Sequence, residues 1–394
     1  MGILILNRSA YYPYNEWLGP LKEELFLFTT KERAEASVEF EHVEGFNEYE
    51  INDSIEVRAI EFYRKYPFHT VIATSEFDIL RAARIRDYLD LAGQNVVSAL
   101  TYRNKVIMKE TLIRHQIPVP NFVRAQSAID IYKFIETNGY PIVIKPFDGS
   151  GSVGVEIIYS VEDLYDYLSK GLNSNLEVEQ FIEGDMYHID GIVLSGELEF
   201  CWPSKYINGC LAHQDSKFNG SFLLGQDNPL TGRLIQFIKD VIKALPTPSN
   251  TSFHAEVFHT LDDKLVFCEI ASRTGGGFIR ETIIQAFDLD LTKTSIQAQC
   301  GIISELNMKA TPNIYSGFLL MPSQKGELIN IPDSCNASWV TKYEIDAKPG
   351  DFFDGSSSSV DTIAKFLIIG SSESEVHSRI NQLALWFEKN TLWE

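Results

Sequence analysis

The sequence has 394 residues, enough for roughly two or three domains, and its 44% hydrophobic and 22% charged content is that of an ordinary folded, enzyme-sized chain. A formal net charge of −20 at pH 7 excludes broad nucleic-acid or anionic-membrane surfaces, which need clustered Lys and Arg; an anionic ligand would require locally focused cations and a metal. Cys201, Cys210, Cys268, Cys300 and Cys335 lack zinc-like spacing and are expected as reduced thiols, and no apolar run, residues 2–6 included, is long enough for a signal peptide or span, so a cytoplasmic protein is expected.

Residues 1–98 alternate strand and helix, the pattern of a small parallel-sheet domain. A strand is expected at 3–6, a helical stretch at 16–28 interrupted at Gly19-Pro20, and a strand at 38–43. A helix follows in which Ile55, Ala59, Phe62 and Tyr66 recur at helical spacing, then a strand at 69–74. The helix at 76–92 carries Leu80, Ala83, Asp87 and Leu91 on one stripe, with Gly93 as its stop. Glu76, at a strand-to-helix junction, reads equally well as a cap.

A second segment, residues 99–190, opens a helix at Arg103-Asn104-Lys105, and Ile117-Pro118-Val119-Pro120 then forces an extended connector. A cation at a helix start is disfavoured unless an anion is near, so Lys105 is either an anion contact or a solvated lysine. Next, an apolar run ending in Lys145 and Pro146 leads into Asp148-Gly149-Ser150-Gly151-Ser152-Val153-Gly154. A dinucleotide loop needs a helix after these glycines, whereas residues 155–159 read as a strand; a Walker A loop needs Lys and then Ser or Thr where Val155 stands. What remains is a glycine-turned hairpin whose N–H groups can fold over phosphates, with Lys145 as the fixed positive charge. Ser160 caps a helix through Leu164, Tyr167 and Leu168, which places the hairpin on a small two-layer lid. Residues 177–184 form a strand running into a bend, either an adenine connector or an interdomain strand with solvated carboxylates, and a strand resumes at 188–194.

In residues 191–304, the stretch 201–228 is too irregular to place and reads as a substrate loop or a surface excursion, followed by a helix at 230–245. Two apolar-rich runs, 253–261 and 264–270, meet at Asp262-Asp263, a plausible tight hairpin turn. Counting back from that turn sets Glu256 opposite Glu269, with Phe258 and Phe267 on their face and Ala255, Val257, Cys268 and Ile270 on the other. Directly opposed side chains lie ~5 Å apart, so the two charges need compensation. A divalent cation would supply it; a protonated glutamate or a shifted register is the alternative. Arg273 and Gly275-Gly276-Gly277 then open a helix at 278–287, a second anion site suited to a phosphate or a substrate carboxylate. Arg280, one turn in, faces the same cleft or solvent. Residues 305–394 contain strands at 316–322 and 364–369, a serine loop at 356–359 and an amphipathic helix at 373–389, and read as a structural cap.

Lys105, the 140–146 strand with its glycine loop, Glu179-Gln180-Phe181-Ile182, Glu256, and Glu269 with Arg273 together resemble the ATP-grasp superfamily over residues 1–305. The resemblance is closest to the carboxylate-amine ligase branch, which includes L-amino-acid ligases and relatives of biotin carboxylase. It implies an α/β (α+β) ATP-grasp fold with a Rossmann-like amino-terminal domain, a small lid and a larger antiparallel-sheet domain that binds ATP and metal. It further implies that Lys105 and Lys145 hold ATP phosphates under Gly149, Ser150, Gly151, Ser152 and Gly154, and that Glu179, Gln180, Phe181 and Ile182 bind adenine. Glu256 and Glu269 would ligate Mg²⁺ or Mn²⁺, Glu269 and Arg273 would act in catalysis, with Arg273 steadying the transferred phosphoryl group, and Gly276, Gly277 and Arg280 would meet substrate. The family commonly has Asn two residues after the second metal glutamate, where this chain has Ala271, which leaves one metal or two open; Asp185, Met186 and His188 leave the ribose contact open. The implied reaction joins a small carboxylate, an amino acid, to an amine through an acyl phosphate, releasing ADP and phosphate. A carrier-protein thiol as acceptor, or a non-catalytic nucleotide-binding regulator, are the rival readings, and a homodimer is expected.

Overall fold

The computed structural model describes residues 2–37, 39–302, 306 and 308–394. Val38, expected to open a strand, and residues 304 and 305, between which a domain boundary is expected, lie outside the described residues. The amino-terminal unit runs β1 (Gly2–Leu6), α1 (Tyr14–Leu18), β2 (Glu24–Thr30), α2 (Lys31–Ala36), β3 (His42–Phe46), α3 (Ser54–Lys65), β4 (Phe68–Ala73) and α4 (Glu76–Leu89). Its strands pair in parallel as β3-β2-β1-β4.

Part of the stretch expected as helix at 16–28 is therefore strand. Beyond Gly19-Pro20 the run becomes β2, where Phe26, Leu27 and Phe28 are all buried. A parallel strand covered on both faces loses the alternation that would distinguish it from a helix. The stripe expected on α4 also shifts: Ile79, Ala82, Ala83, Ile85 and Arg86 are buried, and the helix ends at Asp90 in the left-handed region rather than at Gly93.

Two helices, α5 (Val96–Arg103) and α6 (Lys105–Arg114), then meet at Asn104, whose side chain accepts from the N–H groups of Val106 and Ile107 at 3.1 Å and starts α6. The lid comprises β5 (Phe122–Ala125), α7 (Ala128–Asn138), β6 (Ile142–Pro146), β7 (Glu156–Ile158), α8 (Val161–Ser169) and β8 (Leu176–Gln180). Its antiparallel sheet, ordered β5-β8-β6-β7, packs on Ile131, Phe134 and Leu164 of the two helices. Ser160 caps α8 as its sequence implies.

The remaining chain forms β9 (Gly184–Leu194), β10 (Glu197–Ile207), β11 (Asn219–Leu223), α9 (Pro229–Ala244), β12 (Thr251–Thr260), β13 (Leu265–Ala271), α10 (Ile279–Phe287), α11 (Leu291–Gln299) and β14 (Tyr315–Pro322). It closes with β15 (Lys325–Asn330), β16 (Val340–Ile345), β17 (Phe352–Asp354), β18 (Thr362–Gly370), α12 (Glu373–Asn390) and β19 (Leu392–Trp393). Eight strands make one sheet in the order β13-β12-β9-β10-β11-β14-β18-β16. The segment expected as a cap thus contributes β14, β18 and β16 to this sheet. Much of stretch 201–228, expected to be irregular, belongs to β10 and β11 instead. One face of the sheet is apolar and buried beneath α9 and α12 through Leu234, Ile238, Ile380 and Phe387. Toward the lid the other face carries buried polar side chains, among them His188, Asp190, Ser204, Ser221 and Glu256. Those polar inward positions are why hydrophobic alternation fails to reveal β10 and β11.

Candidate functional site

Lid and large sheet enclose a cavity of about 300 Å³. Lys105, Lys145, Gly149, Ser150, Ser152, Glu179, Gln180, Phe181, Ile182, Glu256 and Glu269 all line it. The glycine turn joins antiparallel β6 and β7, Ile144 opposite Glu156, and Gly151 and Gly154 both sit at positive φ, 63° and 71°, which a side chain would strain. Gly154 lines neither this cavity nor the one described below. At the tip of the turn, the Gly151 carbonyl accepts from the backbone N–H of Ser359 at 3.0 Å, so the serine loop is in contact with the hairpin.

Lys145 projects from β6 into a buried charge network. Its ammonium pairs with Glu179, which also pairs with Lys109, and Lys109 donates to Glu177 at 2.6 Å. Burial disfavours the Lys145 charge, but Glu179 and neighbouring carboxylates outweigh it and hold the pKa well above the ordinary lysine value. Burial likewise opposes ionisation of Glu179, and the ammoniums of Lys109 and Lys145 overcome it, leaving its carboxyl below the usual range. The Glu179 side chain is thus turned toward two lysines. Of the open ribose candidates, Met186 lines the cavity, Asp185 pairs with Lys205 at 2.6 Å, and His188 is buried in the cluster described below.

Glu256 and Glu269 are directly opposed across β12 and β13, yet the path to that register differs from the expected one. The loop between the strands is residues 261–264, closed by the Lys264 carbonyl accepting from the Thr260 N–H, and β12 pairs Phe258 with Val266 and Val257 with Phe267. A bulge at Cys268 then inserts one residue and restores Glu256 to Glu269. As a result Cys268 lines the cavity together with Phe258 and both glutamates, while Phe267 is in the core with Val257, the reverse of the expected facing for these two residues. The protein supplies its own cations to the pair. Lys105 lies 2.9 Å from Glu269, and His254 lies 3.5 Å from Glu256, which also accepts from Tyr206 at 3.1 Å and Cys210 at 3.4 Å. Desolvation by the walls works against the Glu269 charge, but Lys105 and Lys145 bring its pKa down to about 2. Two oxygen-donor groups sharing one wall, one of them firmly ionised, fit the demands of a hard divalent cation.

Across that wall lies a second cavity of about 560 Å³ that shares Ser150, Ser152, Glu256 and Glu269 with the first and adds Gly151, Arg273 and Gly276. Arg273 is oriented by a residue the sequence left ambiguous. Glu76 lies 2.8 Å from its Nε and also pairs with Arg103, which in turn donates to the Asp148 carbonyl beside the glycine turn. Burial opposes the Glu76 charge and the two guanidiniums prevail, lowering its pKa. Gly275 lets the chain pass His254 closely, since a Cβ there would lie 2.9 Å from Nδ1. Gly277 and Arg280 line neither cavity. Instead of facing cleft or solvent, Arg280 is clasped by Asp290 through Nε at 2.9 Å and lies over the rings of Tyr12 and Trp17.

A cluster missed by sequence reasoning underlies Glu256. His188 and His254 both hydrogen-bond to Asp190, at 2.5 and 2.8 Å, and His188 reaches Ser221 at 2.6 Å. His188 and Asp190 are neighbours on β9, but Ser221 on β11 and His254 on β12 are far from them in sequence, so no local motif announces the cluster. Burial opposes both charges. Asp190 nevertheless stays well below its ordinary pKa through the two imidazoles, and His254 rises from 6.5 to about 10 through Asp190 and Glu256. A base raised in the folded state stabilises it fully below its unfolded pKa and loses that contribution as pH rises through the folded value. Stability should therefore fall between pH 6.5 and about 10, and His254→Gln should flatten this part of the dependence. Urea midpoints at the two ends of the window measure it; equal slopes in both proteins would refute the assignment.

Residues 102–277 match the family described as the ATP-grasp domain. The L-arginine-specific L-amino acid ligase of Bacillus subtilis is 30% identical over 330 residues, covering 80% of this chain and 79% of that one. A D-alanine–D-alanine ligase of Xylella fastidiosa is 30% identical over 98 residues, 24% of this chain and 32% of that one. The crystal structure of an L-amino acid ligase from Bacillus licheniformis aligns over 100% of this chain and 98% of its own, with a TM-score of 0.78 and 16% identity. N5-carboxyaminoimidazole synthetase from Staphylococcus aureus aligns over 97% and 96%, with a TM-score of 0.74 and 14% identity. At such identities the likeness to these two structures is one of fold.

Proposed function

The chain belongs to the ATP-grasp superfamily, akin to the L-amino-acid ligases, and is an ATP-dependent ligase; from that premise we propose that it joins an amino acid, through its carboxylate, to an amine by way of an acyl phosphate. One observation carries the reading: Glu256 and Glu269 stand on a wall common to two cavities, one framed by Lys105 and Lys145 and the other by Arg273. Nucleotide would occupy the first and carboxylate the second, so that the γ-phosphate and its acceptor meet at the shared wall. The name of the Bacillus subtilis relative supports an amino acid as substrate.

In this scheme Lys105 and Lys145 neutralise phosphate oxygens, and the glycine turn closes over them. Residues 180–182, which line the cavity, would border adenine. Glu256 and Glu269 would hold Mg²⁺ or Mn²⁺, which, when bound, offsets the negative charge that builds up on the phosphates. A carboxylate oxygen attacks the γ-phosphorus and ADP leaves; the amine nitrogen then attacks the acyl carbon, phosphate leaves, and the nitrogen gives up a proton. Arg273, held by Glu76, faces the transferred phosphoryl group. Positioning and charge do the chemistry, so no protein nucleophile is required. We place the reaction in the cytoplasm, in keeping with five free thiols, and no helix among the described residues is long and apolar enough to cross a membrane.

The test is ADP release across a panel of L-amino acids with Mg²⁺, repeated with hydroxylamine. Stimulation by particular amino acids, and an acyl hydroxamate in the trapped reaction, are expected. Folded protein that binds ATP but is stimulated by no carboxylate would refute the reading.

A further inference from the structure

A third cavity, of about 250 Å³, lies where the amino-terminal unit meets the large sheet, and none of its lining residues lines either of the other two. β4, α4 and residues 92–94 contribute to it from one unit; residues 248–251, which lead into β12, contribute from the other, together with Ser272 and Gln299. Apart from Arg86 the described lining is uncharged, and much of it is polar, including Thr70, Asn250, Thr251 and Ser272. Arg86 is only 4% exposed. A guanidinium removed from water is ordinarily paired with an anion. Arg81, similarly enclosed on the same helix, has Asp78 at 2.8 Å, whereas no carboxylate pairs with Arg86 among the described residues.

Main-chain carbonyls take only part of its hydrogen-bonding capacity. Nη1 donates to Gln94 at 3.1 Å and Nη2 to Val71 at 2.5 Å, which leaves the Nε–H and the second N–H of each terminal nitrogen. Nε has no acceptor among the described residues and keeps accessible surface, so a ligand can reach it. Gly93, which also lines the cavity, keeps a side chain off this edge: its φ of 129° is one that other residues resist, and a Cβ there would stand 2.8 Å from Nε. Burial works against the Arg86 charge and brings the pKa down to about 10, opposed by Asp87, an exposed carboxylate that accepts from the Val96 N–H at 3.0 Å. The group is therefore cationic at neutral pH, enclosed, and without a counter-ion among the described residues.

We propose that this cavity is a binding site for a small oxyanion, a carboxylate or a phosphate, held on the Nε edge of Arg86, where in-plane N–H groups match two oxygens of such a group. The site is separate from the proposed reaction and does not depend on it. Because its walls come from two units, a bound anion should stabilise their junction. The test titrates the full chain with potassium phosphate and with succinate, ionic strength being held constant with KCl, and reads binding heat and urea midpoint in wild type, Arg86→Met and Asn250→Asp. Crystals soaked in selenate locate the site. Wild type should bind at least one of the two anions with a rise in midpoint, and the tighter of them identifies phosphate or carboxylate as the class. Either substitution should weaken that binding at least about tenfold, the first by removing the donor and the second by adding a negative charge to the lining. An anomalous selenium peak should lie within hydrogen-bond distance of the Arg86 guanidinium. If Arg86→Met does not fold, Asn250→Asp and the selenate map carry the test. Binding that is unchanged in the substituted proteins, or a wild type that responds to neither anion and holds no selenium at Arg86, overturns the proposal and makes the guanidinium a structural clasp on two carbonyls; both results leave the ligase reading untouched.

Discussion

Replacing Glu269 by glutamine is expected to lower turnover about a thousandfold while the protein stays folded, on the scale seen when an electrostatic element of a transition-state clamp is removed. The carboxyl has a pKa of about 2, so it is ionised at any pH where the enzyme would be assayed, and glutamine removes a full charge. Shape is nearly unchanged, and the side chain is partly exposed at the cavity wall, so the loss should appear in kcat and in Mg²⁺ or Mn²⁺ affinity rather than in the melting temperature. Lys105, freed of its partner at 2.9 Å, still donates to the Gly149 carbonyl. Steady-state ADP release and calorimetric titration with Mn²⁺ measure the two effects. Turnover within a few-fold of wild type would refute a metal-holding role for Glu269.

Lys145→Met is expected to act first on stability, by about 3–5 kcal/mol, because it leaves the buried carboxylates of Glu177 and Glu179 to share the single ammonium of Lys109. The sign of its pH dependence distinguishes this cause from lost packing. With one cation fewer, Glu179 would have a folded pKa above its unfolded value, so the variant should regain stability as pH falls through that raised value toward ~4.3. A cavity effect would show no such recovery. Adding Glu179→Gln to Lys145→Met should restore part of the loss, and chemical denaturation of the two variants across that range decides the matter. Lys145→Met as stable as wild type would show that the network carries no strain on charge balance.

The Glu256–Glu269 pairing was legible in the sequence, but through two offsets that cancel. A turn counted at Asp262-Asp263 misplaces the near end of the hairpin by one residue, and the Cys268 bulge corrects it before the glutamates. Nothing in local composition marks a bulge, which is why Cys268 and Phe267 were assigned to the wrong faces. Lys105, Lys145 and the glycine turn were readable because loop chemistry is local. The His188–Asp190–His254 cluster, the Lys109–Glu177 pair and the Glu76 bridge were not, since each forms only when distant strands and helices come together. β2 and β10 escaped for a related reason: one is apolar on both faces, the other polar on an inward face, and neither alternates.

The hydrogen bond from Ser359 to Gly151 joins the last third of the chain to the tip of the hairpin that would cover the nucleotide under the proposed reading. Lifting that hairpin must break it. A contact of this kind is worth roughly 1 kcal/mol, or about a fivefold bias toward the shut position, so under the proposed reading residues 357–360 would slow the departure of ADP. Product exit would thereby be tied to a stretch far along the sequence from the turn it touches.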